Sequence, residues 1–158
     1  MSQASKTLPK RQVYLVALGS NLPSSWGSPK KMLSLALNYT HSYSCHLVNL
    51  SKFFRSSAFP AGSGPDFVNA VAAIEGPGDP KEMLAILHDI ESRLGRERRE
   101  RWGARVVDLD LIAAGDKIIP NREEHARWRN LPLEDQMARA PEQLILPHPR
   151  VQDRAFVL

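Results

Sequence analysis

Asp108 and Asp110 stand two positions apart in "VVDLDLIAAG", a run otherwise built of strand-forming apolar residues. Side chains alternate across a strand with a rise of about 3.3 Å per residue, so the two carboxylates share one face with backbones ~6.6 Å apart. Val107, Leu109 and Leu111 share the other face, the natural core side. Ionised carboxylates this close need partners. Arginines, a divalent cation or a shared proton would each serve. An Arg–Asp network that fixes the strand is the structural answer. A grip on a hard cation such as Mg²⁺, which takes one or two carboxylates plus substrate phosphates, is the chemical one. Spacing alone leaves both open.

Just ahead of the aspartates, Arg93, Arg96, Arg98, Arg99, Arg101 and Arg105 crowd thirteen residues around Gly95 and Gly103, diluted by Glu91, Glu97 and Glu100. A charge run is ordinarily a solvated face. Guanidinium forks also match phosphate oxygens two at a time, so the same run suits a phosphate clamp. Arginines on one side and metal-holding carboxylates on the other would suit a polyphosphate. Trp102, inside this loop, either covers a ligand or anchors the loop to the core. Farther back, Phe67 and Asn69 fall on one face of "FVNAVAAIE". A ring and an amide there would hold a flat heterocycle by stacking and hydrogen bonding, or be a core Phe beside a turn-capping Asn. "GSN", Gly19 to Asn21, is a turn that could offer backbone N–H groups, and His148, rigid between prolines in "PHPR", lies near Arg150 and Arg154. Phosphate contact and a plain surface turn are both open for that histidine.

The elements that must position these residues follow from pattern and punctuation. "VYLVALGSN", residues 13–21, reads as an apolar strand ending in a turn. "SPKKMLSLALNYT" reads as a helix with Ser28 as N-cap and Pro29 in the first turn. "LVNLSKFFRS", residues 47–56, predicts a second strand, residues 57–66 a Gly/Pro/Ser loop and residues 67–75 a third strand. "DPKE" opens a second helix, with Asp79 as cap, Glu82 three residues later and Met83, Leu87, Ile90 and Leu94 as its core stripe; Gly95 ends it. The aspartate strand follows the arginine loop. The order strand, helix, strand, strand, helix, strand predicts an α+β, ferredoxin-like (βαββαβ) antiparallel sheet with helices mainly on one face, which leaves the other face for a site. Residues 122–143 read as a polar excursion with one short helix near Leu133 to Arg139.

At 158 residues, with 42% hydrophobic and 24% charged residues, the chain fits one globular domain. The division expected is a flexible tail over 1–11 and a domain over 12–158. A net charge of +4 permits an anionic partner. Cys45 is alone, so an intrachain disulfide and a cysteine zinc site are excluded, and the five histidines lack the i, i+4 spacing of a helical metal site. No apolar run nears the roughly 18 residues of a membrane span, and the N-terminus lacks a signal-peptide core, so a cytoplasmic protein is expected.

"VALGSN", "GPDFVNAVAAIE", "RERRERWGARVVDLDLI" and "LILPHPRVQDRAFVL" occur in the order found in the 6-hydroxymethyl-7,8-dihydropterin pyrophosphokinase family of folate biosynthesis, which the chain resembles from about Val13 to Leu158. The resemblance implies the ferredoxin-like fold and transfer of pyrophosphate from MgATP to the pterin hydroxymethyl group, with AMP released. It implies that Asp108 and Asp110 ligate two Mg²⁺ ions on the ATP phosphates and that Arg96 and Arg105 stabilise the transferring group. Arg98 and Arg101 would be further cationic residues of the loop, and Trp102 its lid aromatic. Phe67 and Phe156 look like the rings that sandwich the pterin, Asn69 like its hydrogen-bonding amide, and Ser56, Ser57 and Phe59 like its neighbours. Glu91, Ile112, His148 and Arg154 look like nucleotide contacts. The implied partners are small molecules alone, with no nucleic acid and no membrane, on a monomer.

The chain departs from the family pattern in several places. Ser56-Ser57 replaces a common Thr-Pro, Ala104 a Pro, and Pro149 an aromatic, and the Gly95–Trp102 loop is one residue shorter. Residues 121–143 are an insertion, and the usual C-terminal segment is expected to be lacking after "RAFVL". A basic ferredoxin-like nucleotide- or RNA-binding module without turnover is the alternative reading, weakened by the lack of an aromatic-glycine RNA motif and by acids that would repel a phosphate backbone.

Overall fold

The computed structural model describes residues 10–21, 27–58, 60–95 and 106–153. Within them, β1 (Arg11–Ser20), α1 (Pro29–Thr40), β2 (His46–Leu50), β3 (Phe54–Ser56), β4 (Phe67–Pro77), α2 (Pro80–Arg93), β5 (Asp108–Ala114), α3 (Arg122–Arg129) and α4 (Leu133–Ala138) follow in order. The sheet runs β2-β4-β1-β5, with β3 also on β4, and every pairing is antiparallel. This is the ferredoxin-like arrangement expected.

Alternation decides which face is core. Tyr14, Val16 and Leu18 of β1, Ala70, Ala72 and Ile74 of β4, and Leu109 and Leu111 of β5 are all buried on one side. Against them pack Met32, Leu33, Ala36 and Leu37 of α1 and Met83, Leu87, Ile90 and Leu94 of α2. Burying each of the Leu, Ile and Met side chains contributes about 1.5–3 kcal/mol, so this layer, more than helix propensity, holds both helices down. Both begin as their sequences predict. Ser28 accepts the Lys31 N–H at 3.3 Å and Asp79 the Lys81 N–H at 2.9 Å, each with a proline in the first turn. Past α2, Gly95 takes a φ of +81°, a conformation open to glycine without strain.

The structure differs from the sequence reading at three places. β1 begins at Arg11 rather than after a tail ending there, because Arg11 is tied to Glu75 at 2.6 Å and to the Ser44 carbonyl at 2.7 Å. The single strand expected over 47–56 is two. Residues 51–53 oppose only two residues of β4, and Ser51 Oγ takes the Val71 N–H at 2.9 Å in place of a ladder carbonyl. The excursion after β5 carries two helices, not one.

β5 itself has an irregularity that matters for the site. Leu15 pairs with Ala113 but Val16 pairs with Leu111, so Ile112 is an extra residue in the strand. Its side chain is buried, and its carbonyl accepts the His148 N–H at 2.7 Å. A bulge thus ties the His148 turn to the aspartate strand.

Candidate active site

The open face of the sheet carries one row of residues at the end where β1 runs into the Ser20–Asn21 turn. Phe54 pairs with Asn69, Asn69 with Gly19, and Gly19 with Asp108. Paired residues point to the same face, so an exposed ring, an amide, a bare backbone and a carboxylate stand side by side. With strands ~4.8 Å apart, the Asn69 and Asp108 backbones lie roughly 9–10 Å apart across Gly19. Asp110 is one step along β5 on the same face, opposite Ala17. Asp108 and Asp110 are both half-buried, while their neighbours Leu109 and Leu111 are in the core. The predicted parity therefore holds.

Asn69 is buried and oriented. Its Nδ2 donates to Ser56 Oγ at 2.7 Å, and its Oδ1 lies 3.3 Å from the point where a Gly19 Cβ would stand. Phe67 Cδ1 lies 3.6 Å from the same point. The missing side chain of Gly19 therefore opens a slot with a carbonyl oxygen and an aromatic edge at its rim. A flat ring with N–H donors placed there would meet an acceptor oxygen and an aromatic edge. The base of the slot is braced from below: Ser20 Oγ donates to the Val106 carbonyl, and Asn21 Nδ2 to the Pro65 carbonyl at 3.1 Å. Of the sequence's two readings of "GSN", the structure adds a third, a slot floor.

Glu91 is 1% exposed, and its Oε1 accepts the Leu109 N–H at 2.8 Å. β5 is an edge strand, so the backbone groups on its outer side lack a strand partner. The carboxylate on α2 satisfies one of them between the two aspartates and so anchors that part of β5 to α2. Along the same edge runs a cleft of about 480 Å³, lined among others by His88, Asp110, Trp128, Arg139, His148 and Arg150. Its cationic side chains suit a phosphate-bearing ligand. The Arg150 N–H reaches His148 Nδ1 at 3.2 Å, which sets the ring's orientation.

The residues present fit Mg²⁺. The two carboxylates are hard oxygen donors on one face of β5. That is the donor set of an ion completed by substrate phosphates and water. Phe59, Arg96, Arg98, Arg101, Trp102, Arg105, Arg154 and Phe156, all expected at the site, lie outside the described residues. Ser56 pairs with Phe67 beside Gly19, Ser57 follows Ser56 at the end of β3, and Ile112, His148 and Glu91 are at the β5 edge.

The profile of the 7,8-dihydro-6-hydroxymethylpterin-pyrophosphokinase family matches residues 15–158. The chain belongs to this pyrophosphokinase family. It is similar to the 2-amino-4-hydroxy-6-hydroxymethyldihydropteridine pyrophosphokinase of Haemophilus influenzae, 36% identical over 144 residues, covering 90% of this chain and 75% of the relative. The enzyme of the same name from Pseudomonas aeruginosa is 34% identical over 149 residues, 94% of this chain and 76% of its own. In fold the chain is similar to a crystal structure of Plasmodium falciparum HPPK-DHPS, with a TM-score of 0.62 at 14% identity, covering 98% of this chain and 40% of that one. Membership in the pyrophosphokinase family displaces the alternative of an RNA-binding module. Sequence reasoning passed over Phe54, Trp128 and Arg139. Their signals were an aromatic next to a predicted strand end and two residues in a segment given no chemistry.

Proposed function

We propose that this chain transfers the terminal diphosphoryl group of MgATP to the hydroxymethyl oxygen of 6-hydroxymethyl-7,8-dihydropterin and releases AMP, as a small-molecule enzyme of folate biosynthesis in the cytoplasm. Membership of the pyrophosphokinase family supports the reaction. The single structural observation that supports this reading of the site is the row Asn69, Gly19, Asp108, in which a buried amide and a bare backbone stand beside the carboxylate strand whose Asp110 lines the cleft.

In this reading the pterin lies in the Gly19 slot. Asn69 Oδ1 accepts from its ring N–H groups, Phe67 and Phe156 flank it, and Ser56 holds the amide so that Oδ1 faces inward. Ser57, Phe59 and Trp102 complete the enclosure. The triphosphate lies over β5. Asp108 and Asp110 would hold two Mg²⁺ ions, which would supply Lewis-acid neutralisation of the phosphate oxygens when bound. Arg96 and Arg105 take the oxygens of the transferring group, and Arg98, Arg101, His148 and Arg154 the rest of the nucleotide, with Ile112 and Glu91 fixing the strand beneath. The pterin hydroxyl attacks the β-phosphorus in line, a new O–Pβ bond forms, the bond from Pβ to the AMP oxygen breaks, and the hydroxyl proton leaves to solvent. Positioning and charge neutralisation do the catalysis. The enzyme acts as a monomer, without nucleic acid.

The test is product analysis. Incubated with MgATP and the pterin alcohol, the chain yields AMP and diphosphorylated pterin in equal amounts. ADP with monophosphorylated pterin, or no turnover, would refute the reading.

A further inference from the structure

After β5 the chain leaves the sheet, packs Ile119 against the core, and rejoins the core at Leu144, Ile145 and Leu146; residues 120–143 between them add nothing to it. α3 has no buried residue, and the only buried residue of α4 is polar, Gln136. Residues 120–143 are absent from the main apolar cluster. Ordering such a segment costs conformational entropy that apolar burial here does not offset. What holds it is a set of directional bonds, and they converge on the cleft.

The base of the excursion is closed by paired backbone bonds between Ile119 and Leu146, at 2.8 and 3.0 Å. Above it, His125 Nε2 meets the Pro147 carbonyl at 2.9 Å; a carbonyl only accepts, so that nitrogen carries the proton. Arg150 donates to the Gln136 carbonyl from the other side. Gln136 Nε2 donates to the Leu131 carbonyl at 2.7 Å, which ties α4 to the end of α3. Glu124 takes the Trp128 indole N–H at 3.0 Å and Arg127 at 2.7 Å, and so fixes the indole. The two helices and the His148 turn are therefore one clasped unit. It presents Trp128, Gln136 and Arg139 to the same cleft that Asp110 and His148 line.

We propose that the α3–α4 excursion is the nucleoside-side wall of the MgATP site, with Trp128 its contact surface for the flat base and His125 the positioning residue that clasps the wall to the His148 turn. The proposal rests on the functional reading above. Asp110 is the strand carboxylate that reaches this cleft, so the metal-bound phosphates belong beside it. The base and ribose then fall against the rest of the lining, to which the excursion contributes Trp128, Gln136, Arg139 and residues 140–143, beside Leu84 and His88 of α2. A wall held by polar bonds rather than by the core can be loosened without unfolding the sheet.

Isothermal titration of the full chain with Mg²⁺ and α,β-methylene-ATP, in which the scissile oxygen is replaced, tests this, alongside titration with the pterin alcohol and melting curves. Trp128→Ala and His125→Ala weaken analogue binding roughly tenfold, the scale of a lost buried contact or an orphaned carbonyl. Pterin affinity stays within about twofold, as for independent sites. His125→Gln, whose amide N–H still reaches a carbonyl, recovers most of the affinity. Unchanged analogue binding in both alanine variants overturns the proposal and leaves the functional reading intact. Equal losses of analogue and pterin binding with a fall in melting temperature overturn it too, by making the segment merely structural. A wild-type chain that binds no analogue overturns the functional reading and the proposal together.

Discussion

Between Asn69 and Asp108 the floor of the sheet is Gly19, where a methyl group would sit 3.3 Å from Asn69 Oδ1 and 3.6 Å from the Phe67 ring. The backbone can accept Gly19→Ala, but the slot cannot stay open. Pterin affinity is expected to fall roughly tenfold or more, the scale of one misfitting methyl group in a tight site. Titration with the pterin should show this, with affinity for the nucleotide analogue unchanged. At the two aspartates, a change to Asn keeps shape and removes charge. Asp108→Asn and Asp110→Asn should each lower turnover by on the order of 10²–10³ while leaving the melting temperature nearly unmoved, because the strand's packing is on its other face. The parity of Asp108 with Asp110, and of Phe67 with Asn69, was legible in the sequence because strand alternation is local. Gly19 as a slot floor was not. It depends on which residues β4 and β5 bring alongside, and that register is set at a distance.

The elements carry their own tests. Glu91 of α2 satisfies the Leu109 N–H on the outer edge of β5. Glu91→Ala should destabilise the fold by about 1–3 kcal/mol in denaturant titration, the cost of an orphaned buried donor, and lower turnover by loosening the aspartate strand from α2. Tyr14 of β1 donates to the Pro77 carbonyl at 2.5 Å, and burial pushes its hydroxyl up from 10.0 to about 12, with smaller contributions from Asp79, Glu82 and Cys45. A raised folded value means that the neutral form is favoured on folding. Its contribution is fully present below pH 10 and is lost as the pH rises toward 12. Tyr14→Phe should flatten the fall in stability across that window, measured by urea midpoints at stepped pH. Both long helices were legible from their caps and apolar stripes. α3 was missed because it has no apolar stripe to read, although Asn121 as cap, acids in its first turn and arginines in its last turn mark it plainly. The break between β2 and β3 was invisible because one serine hydroxyl replacing a ladder bond leaves the composition of the run unchanged.

For the molecule as a whole, one-sided helices make the site possible. Among the described residues the helices pack on one sheet face and the other is open in part; Leu15 there is 43% exposed, while Asn69 is buried. The strand order was legible because βαββαβ with short, right-handed connections permits few alternatives. The cleft was not, since its wall comes from a segment without apolar periodicity. Ligand should bind the folded state alone, so saturating MgATP analogue at a hundredfold excess over its Kd should add about 2.7 kcal/mol and raise the melting temperature by several degrees. The most direct test of the paired carboxylates is a magnesium titration of AMP formation, in the wild-type chain and in Asp108→Asn and Asp110→Asn. The wild type should form AMP in a magnesium-dependent way, and neither variant should approach its rate at any magnesium concentration. AMP formation at the wild-type rate in both variants would contradict the account.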